Sequence, residues 1–247
     1  MKVAASFLTS KNKAKDLAKL NLTTIDYIHV DFMDGKFVKQ KSLPFRELKK
    51  VYKYTSKRLD VHLMAKKPAK LIKKFASLNT EFITIHLEIE EDIHKLIKLI
   101  HKYGIKAGLC IKPNTDINLL KDYLDEIEMI LVMGVEPGMG GQAFIKETEN
   151  RLRTVRNMLS ALGKSHIMIN VDGGINDETI RFVEDYVDIV VSGSYITNSN
   201  DFQKSIDSLK GIIKKEINNP LELRDKLENI NQPEEEKKDD FVLNIKY

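Results

Sequence analysis

Along this chain, short runs dominated by Val, Ile and Leu alternate with longer stretches in which apolar residues recur every three or four positions among lysines. The first pattern is that of a buried strand, the second that of an amphipathic helix. "KVAASFL" is followed by "KNKAKDLAKL", "YIHVDFM" by "PFRELKKVYKY", and "RLDVHLM" by "PAKLIKKFASL". "FITIHLE" leads to "EDIHKLIKLIHKYG", and "KAGLCIK" to "DINLLKDYLDEI". "MILVMGV" precedes "TENRLRTVRNMLSALG", "HIMINVDGG" precedes "NDETIRFVEDYV", and "DIVVSGS" precedes "DFQKSIDSLKGIIKKEI".

These make eight strand–helix units. Local punctuation agrees: Pro68 opens one helix, Asn176 with acidic residues behind it caps another, and Gly104 and Gly163 close two more. Alternating units predict a parallel sheet covered by helices. Eight of them in this length predict a (β/α)8 TIM barrel. No Gly-x-Gly-x-x-Gly follows the first strand, which argues against a dinucleotide-binding fold. From about Pro220 the pattern fails. The expected division is a single barrel domain over 1–219 and a charged extension over 220–247, in which "NQPEEEKKDD" reads as a flexible segment and "FVLNIKY" is apolar enough to dock.

Composition adds little beyond this. The chain has 247 residues, is 42% hydrophobic and 31% charged, and carries a net charge of +4 from scattered lysines. That is an ordinary solvated surface, with weak attraction for phosphorylated ligands or nucleic acid as the alternative. The one cysteine, Cys110, sits in an apolar run and reads as a small buried hydrophobe. No stretch reaches the length of a membrane span, and the N-terminal apolar run is too short for a secretion signal. A cytoplasmic protein is expected.

In (β/α)8 barrels the reactive groups lie at the carboxyl ends of the strands. That filter selects Ser6, then His29, Asp31 and Met33, then His62 and Met64. It also selects Met133 and the loop "GVEPGMGGQ", Asp172 in "NVDGG", and the "SGS" of the last strand. His29, Asp31 and Met33 are two apart and share a strand face, and burying a carboxylate there is costly unless something pairs with it. The histidines and carboxylates of strands two, three and seven could converge on one divalent cation such as Zn2+, Fe2+, Mn2+ or Co2+. The alternative is a set of separate hydrogen-bonded core groups. Two carboxylates flanking a substrate carbon could remove a proton from one face and return it on the other, inverting a stereocentre through an enediolate that the metal stabilises. The glycines of "PGMGGQ", "DGG" and "SGS" close three adjacent strands, where barrels bind phosphate through backbone N–H groups. Met33, Met64 and Met133 would line the pocket and exclude water.

"HVDFMDGKFV", "LDVHLM", "VMGVEPGMGGQ", "NVDGG" and "SGS", in that order and spacing, closely resemble the ribulose-phosphate 3-epimerase family from about Lys2 to Ile213. The resemblance implies metal-dependent interconversion of D-ribulose 5-phosphate and D-xylulose 5-phosphate in the pentose phosphate pathway, by a homo-oligomer such as a dimer or hexamer. It implies His29, Asp31, His62 and Asp172 as metal ligands, with Asp31 as proton acceptor and Asp172 as donor in one direction. It also implies Ser6, His62, Asp172, Gly138, Met139, Gly140, Gly141, Gly173, Gly174, Gly193 and Ser194 as substrate contacts. The chain departs from the family pattern at Ala5, where proline is usual, and in "FVKQKSLPF", where Gln40 stands for an asparagine in a loop one residue shorter. Gly134 and Met139 stand where Thr and Phe are typical.

Some residues stay outside this set. His86 and Glu88 share a face of the fourth strand and could join the site or simply pair with each other. Asp60 shares a face with His62 and could orient a ligand from behind. His94 and His101 lie on one face of a helix, a surface position, and His166 is expected to be exposed. Two other functions compete: an allulose-6-phosphate 3-epimerase, against which "GMGGQ" and "VDGG" speak, and a non-catalytic barrel that binds phosphate or nucleic acid, against which all four filled ligand positions speak. The expected partner is a sugar phosphate, with neither nucleic acid nor membrane.

Overall fold

The computed structural model of the chain describes residues 1–212, and the structural statements below concern those residues. The expected boundary near residue 219 and the extension beyond it lie outside them. Eight strands form: β1 (Lys2–Ser6), β2 (Tyr27–Met33), β3 (Arg58–Met64), β4 (Thr80–His86), β5 (Lys106–Ile111), β6 (Met129–Met133), β7 (Met168–Asp172) and β8 (Ile189–Ser192). Each pairs in parallel with the next, and β8 returns to β1, so the sheet closes into a (β/α)8 barrel.

Seven helices cover it: α1 (Lys13–Asn21), α2 (Phe45–Val51), α3 (Ala69–Phe75), α4 (Ile93–Lys102), α5 (Glu147–Ala161), α6 (Ser194–Thr197) and α7 (Phe202–Leu209). Asn12, Asp92 and Asp201 cap α1, α4 and α7, each accepting from a backbone N–H three residues on. Such caps contribute about 1 kcal/mol each. Two expected α-helices, those after β5 and β7, are instead 3-10 turns at Ile117–Tyr123 and Ile180–Phe182. The apolar anchors there are three apart, Ile117 with Leu120 and Ile180 with Val183, which suits three residues per turn. Asn176 therefore caps a turn, accepting from Glu178 N and Thr179 N, and not an α-helix.

Strand alternation sorts the side chains into two shells. Ile28, Val30 and Phe32 of β2 point outward into the main core with Ile72, Phe75 and Ile97 of the covering helices. The inward residues fill the barrel in layers. Its lower layer is apolar: Ala4, Tyr27, Phe82, Met129 and Ile189, with Met168 against them. Toward the carboxyl ends the inward residues turn polar, with His29, Asp60, His62, Thr84, His86 and Asn170 all buried. A barrel that hides so many polar groups at one end must use them for each other or for a ligand.

Candidate active site

His29 and Asp31 come from β2, His62 from β3 and Asp172 from β7. The β2–β3 register sets Asp31 beside His62. One ligand atom from each of the four lies within 4.8 Å of every other. His29 Nε2 is 3.4 Å from Asp31 Oδ1 and 3.6 Å from Asp172 Oδ2. His62 Nδ1 is 3.3 Å and 3.7 Å from the same two oxygens. The structure thus brings together the four residues that the sequence singled out.

The partners behind them fix which nitrogen faces the centre. His29 Nδ1 lies 2.8 Å from Asp60 Oδ2, so in the neutral ring its N–H donates there and Nε2 is the nitrogen left bare. That Nε2 is buried and has no hydrogen-bond partner. Asn170 donates to the same Asp60 oxygen at 3.1 Å. Asp60 therefore orients His29 from the neighbouring strand, not the His62 with which it shares a face. Ser6 donates to Asp31 Oδ2 at 2.8 Å, leaving Oδ1 for the centre.

The site asks for positive charge. Burial works against a charged His29, yet Asp31 and Asp60 outweigh it and hold the ring well above its usual pKa. Burial likewise opposes ionisation of Asp31, but His29 and His62 keep it far below the usual carboxylate range. Asp172 is lowered less simply: burial and Asp31 push it up, while bonds to both histidines pull it down. Two imidazole nitrogens and two carboxylate oxygens converging on one point fit a small divalent cation, and the orphaned His29 Nε2 fits the same group. Met33 and Met64 are register partners, Met133 is opposite Asp172, and all three are buried at this level.

The glycine loops gather beside the site. Gly173 and Gly174 follow Asp172 with φ of 114° and 71°. A side chain at Gly174 would stand 2.6 Å from the Phe144 backbone, so two loops touch there. Gly193 precedes α6, whose first residue is Ser194, and lies against Ser6. Gly138, Met139, Gly140 and Gly141 form the loop after β6, held by Gln142, which donates to Glu136 O and Met139 O. Val38 and Gln40 of the β2 loop pack on Gly138. Gln40 of the altered β2 loop thus lies close against the β6 loop. Between these loops lies a cavity of about 340 Å³ lined by Phe37, Gln40, Lys112, Glu136 and Met139 among others.

The Ribulose-phosphate 3 epimerase family model matches residues 2–197. The chain belongs to the ribulose-phosphate 3-epimerase family. It is 34% identical over 210 residues to a Bacillus subtilis ribulose-phosphate 3-epimerase, covering 85% of this chain and 95% of that one. It is 39% identical over 193 residues to the Buchnera aphidicola protein of the same name, covering 76% and 84%. The chain is accordingly an enzyme, an isomerase acting on carbohydrate phosphates. Among solved structures, a 3-hexulose-6-phosphate synthase superposes with a TM-score of 0.60 over 87% of this chain and all of that one. A Mycobacterium tuberculosis tryptophan synthase gives 0.61 over 85% and 91%. At 16% and 12% identity these two show the fold alone. No helix among the described residues is long and apolar enough to cross a membrane.

Two contributors, Asn170 and Phe37, escaped the sequence reading. Asn170 shares the inward face with Asp172, a signal that alternation in "NVDGG" already held. Phe37, from the β2 loop, lays its ring on His86 at 4.5 Å between centroids. Its position depends on loop geometry with no periodic signal. His86 itself reaches His62, Nε2 to Nε2, at 2.9 Å. The exposed His94 and His101 pair with Glu126 and Glu128, and His166 is exposed.

Proposed function

We propose that the chain interconverts D-ribulose 5-phosphate and D-xylulose 5-phosphate by moving one proton at C3 between two carboxylates. Asp31 accepts the proton from one face of the carbon and Asp172 delivers one to the other face, through an enediolate. The observation that carries this reading is the pair of carboxylates, one from β2 and one from β7, converging on the same two imidazoles. The shuttle needs Asp31 ionised to accept and Asp172 protonated to deliver. The two histidines hold Asp31 ionised, while burial and the Asp31 charge are the influences that push Asp172 toward its protonated form against the pull of the same histidines.

His29, Asp31, His62 and Asp172 would hold a divalent cation. When bound, it supplies a Lewis acid that stabilises negative charge on a substrate oxygen. Ser6 holds Asp31 in place and can reach the substrate beside it. The backbone N–H groups of Gly173, Gly174, Gly193 and Ser194 would take the phosphate, with the β6 loop glycines, Met139 included, closing over the sugar. Met33, Met64 and Met133 keep water from the intermediate. Work as a homo-oligomer belongs to the same proposal.

Turnover of ribulose 5-phosphate compared with allulose 6-phosphate tests the substrate. Faster pentulose turnover, with solvent deuterium entering at C3, is expected. Faster hexulose turnover would transfer the chain to the other epimerase class, and salt-sensitive nucleic-acid binding without either activity would remove it from both.

A further inference from the structure

Behind His62 runs a buried line of hydrogen bonds that the proton shuttle does not use. His62 Nε2 meets His86 Nε2 at 2.9 Å, and His86 Nδ1 meets Glu88 Oε2 at 2.9 Å. Glu88 is anchored through its other oxygen, which accepts from Lys112 N at 2.8 Å and from the Thr115 hydroxyl. Both rings are fully buried, and Phe37 lies against His86 with Lys112 Nζ 4.3 Å from the centre of the Phe37 ring.

Carboxylates stand at both ends of this line, since Asp31 Oδ1 also lies 3.3 Å from His62 Nδ1. With neutral rings the shorter 2.9 Å contact at Glu88 sets the arrangement, as does any cation held at His62 Nδ1. A carboxylate can only accept, so His86 Nδ1 carries the hydrogen and donates it to Glu88. His86 Nε2 is then bare and must accept from His62 Nε2–H. That leaves His62 Nδ1 bare, and Nδ1 is the atom facing Asp31 and Asp172. Glu88 Oε2, which can only accept, sets the direction of the whole line, and the two donors on Oε1 hold the carboxylate in place.

We infer that Glu88, through His86, is a positioning residue that selects the His62 tautomer able to bind a metal ion. This rests on the metal reading given above. Asp60 does the same for His29 from β3, so each imidazole has its own carboxylate behind it, one direct and one relayed through a second ring. Cys110 lies close to both rings, yet their nitrogens are already satisfied by each other and by Glu88.

Glu88→Gln tests this with almost no change of shape. Lys112 N–H and the Thr115 hydroxyl would take the new amide oxygen, turning the NH2 group toward His86 Nδ1. The line then reverses: His86 Nε2–H donates to His62 Nε2, and His62 Nδ1 carries the hydrogen. In metal-free protein at a pH where the rings are neutral, 15N spectra should show native His62 protonated at Nε2 and the variant protonated at Nδ1. Zinc affinity, by chelator competition, should fall about 10–100-fold, the usual loss when a ligand's outer partner is changed. His86→Gln, whose amide oxygen can still accept from His62 Nε2–H, should keep the native tautomer and most of the affinity, and Cys110→Ala should keep both. Native tautomer and native affinity in Glu88→Gln would overturn the inference, as would a larger loss in His86→Gln than in Glu88→Gln. A large loss in Cys110→Ala would also overturn it, pointing to the thiol as a ligand. Failure of the unmodified protein to bind zinc at all would instead sink the metal reading on which the inference rests.

Discussion

His29 and Asp31 stand two apart on one strand, and that spacing is legible in the sequence because β periodicity puts both on the inward face. Alternation gives the face; the register that sets Asp31 beside His62, and Asp172 across from them, needs the closed barrel. The pairing of His62 with His86 was out of reach for the same reason, since it joins two strands through side-chain length. Two outcomes belong to this scale. Asp172→Asn should slow proton exchange at C3 by at least about 10²-fold, the lower end of general acid–base contributions, with the fold intact by circular dichroism. The second concerns pH. Burial disfavours the charged rings, but acidic neighbours, with Cys110 also contributing at His62, leave both histidines above their usual pKa, so protons stay on the nitrogens that a metal ion would need. Zinc titrations should therefore show affinity falling as pH drops into that raised range and strengthening as pH rises, with protons released on binding.

At the scale of elements, strands β2 and β3 coincide with the runs "YIHVDFM" and "RLDVHLM", because continuous apolar character bounded by turn residues leaves little choice. The turns after β5 and β7 were misread as α-helices because apolar anchors spaced three and four apart serve either geometry over so short a span. Helix α4 shows how the outer layer holds: Ile93, Leu96, Ile97 and Ile100 form its buried stripe. Ile97→Ala should cost about 2–5 kcal/mol in urea unfolding, the range for losing a buried isoleucine side chain. Gly174 tests the loop layer. A side chain there meets the Phe144 backbone and an unfavourable positive φ, the latter costing about 1–2 kcal/mol alone. Gly174→Ala should lower the melting temperature and raise KM, as the loop moves off its neighbour.

For the whole molecule, closure is the organising fact. β8 pairs with β1 across Lys2–Ile189 to Ala5–Ser192, so every strand has two neighbours and the four polar residues of the site are carried by a ring with no free edge. Eight alternating units made that closure predictable from the pattern alone. Ending the chain after residue 219 should leave a cooperative thermal transition close to that of the full chain. Ending it before Ile189 should abolish the transition, since β1 and β7 would each lose a neighbour and the ring would open into two free edges. The ring exists to aim two imidazoles and two carboxylates at one point. Metal analysis of the purified chain against its His29→Ala variant tests that aim most directly. One divalent ion per chain, lost with His29 together with epimerase activity, is the predicted result. Full activity of a metal-free chain, unchanged by chelator, would contradict it.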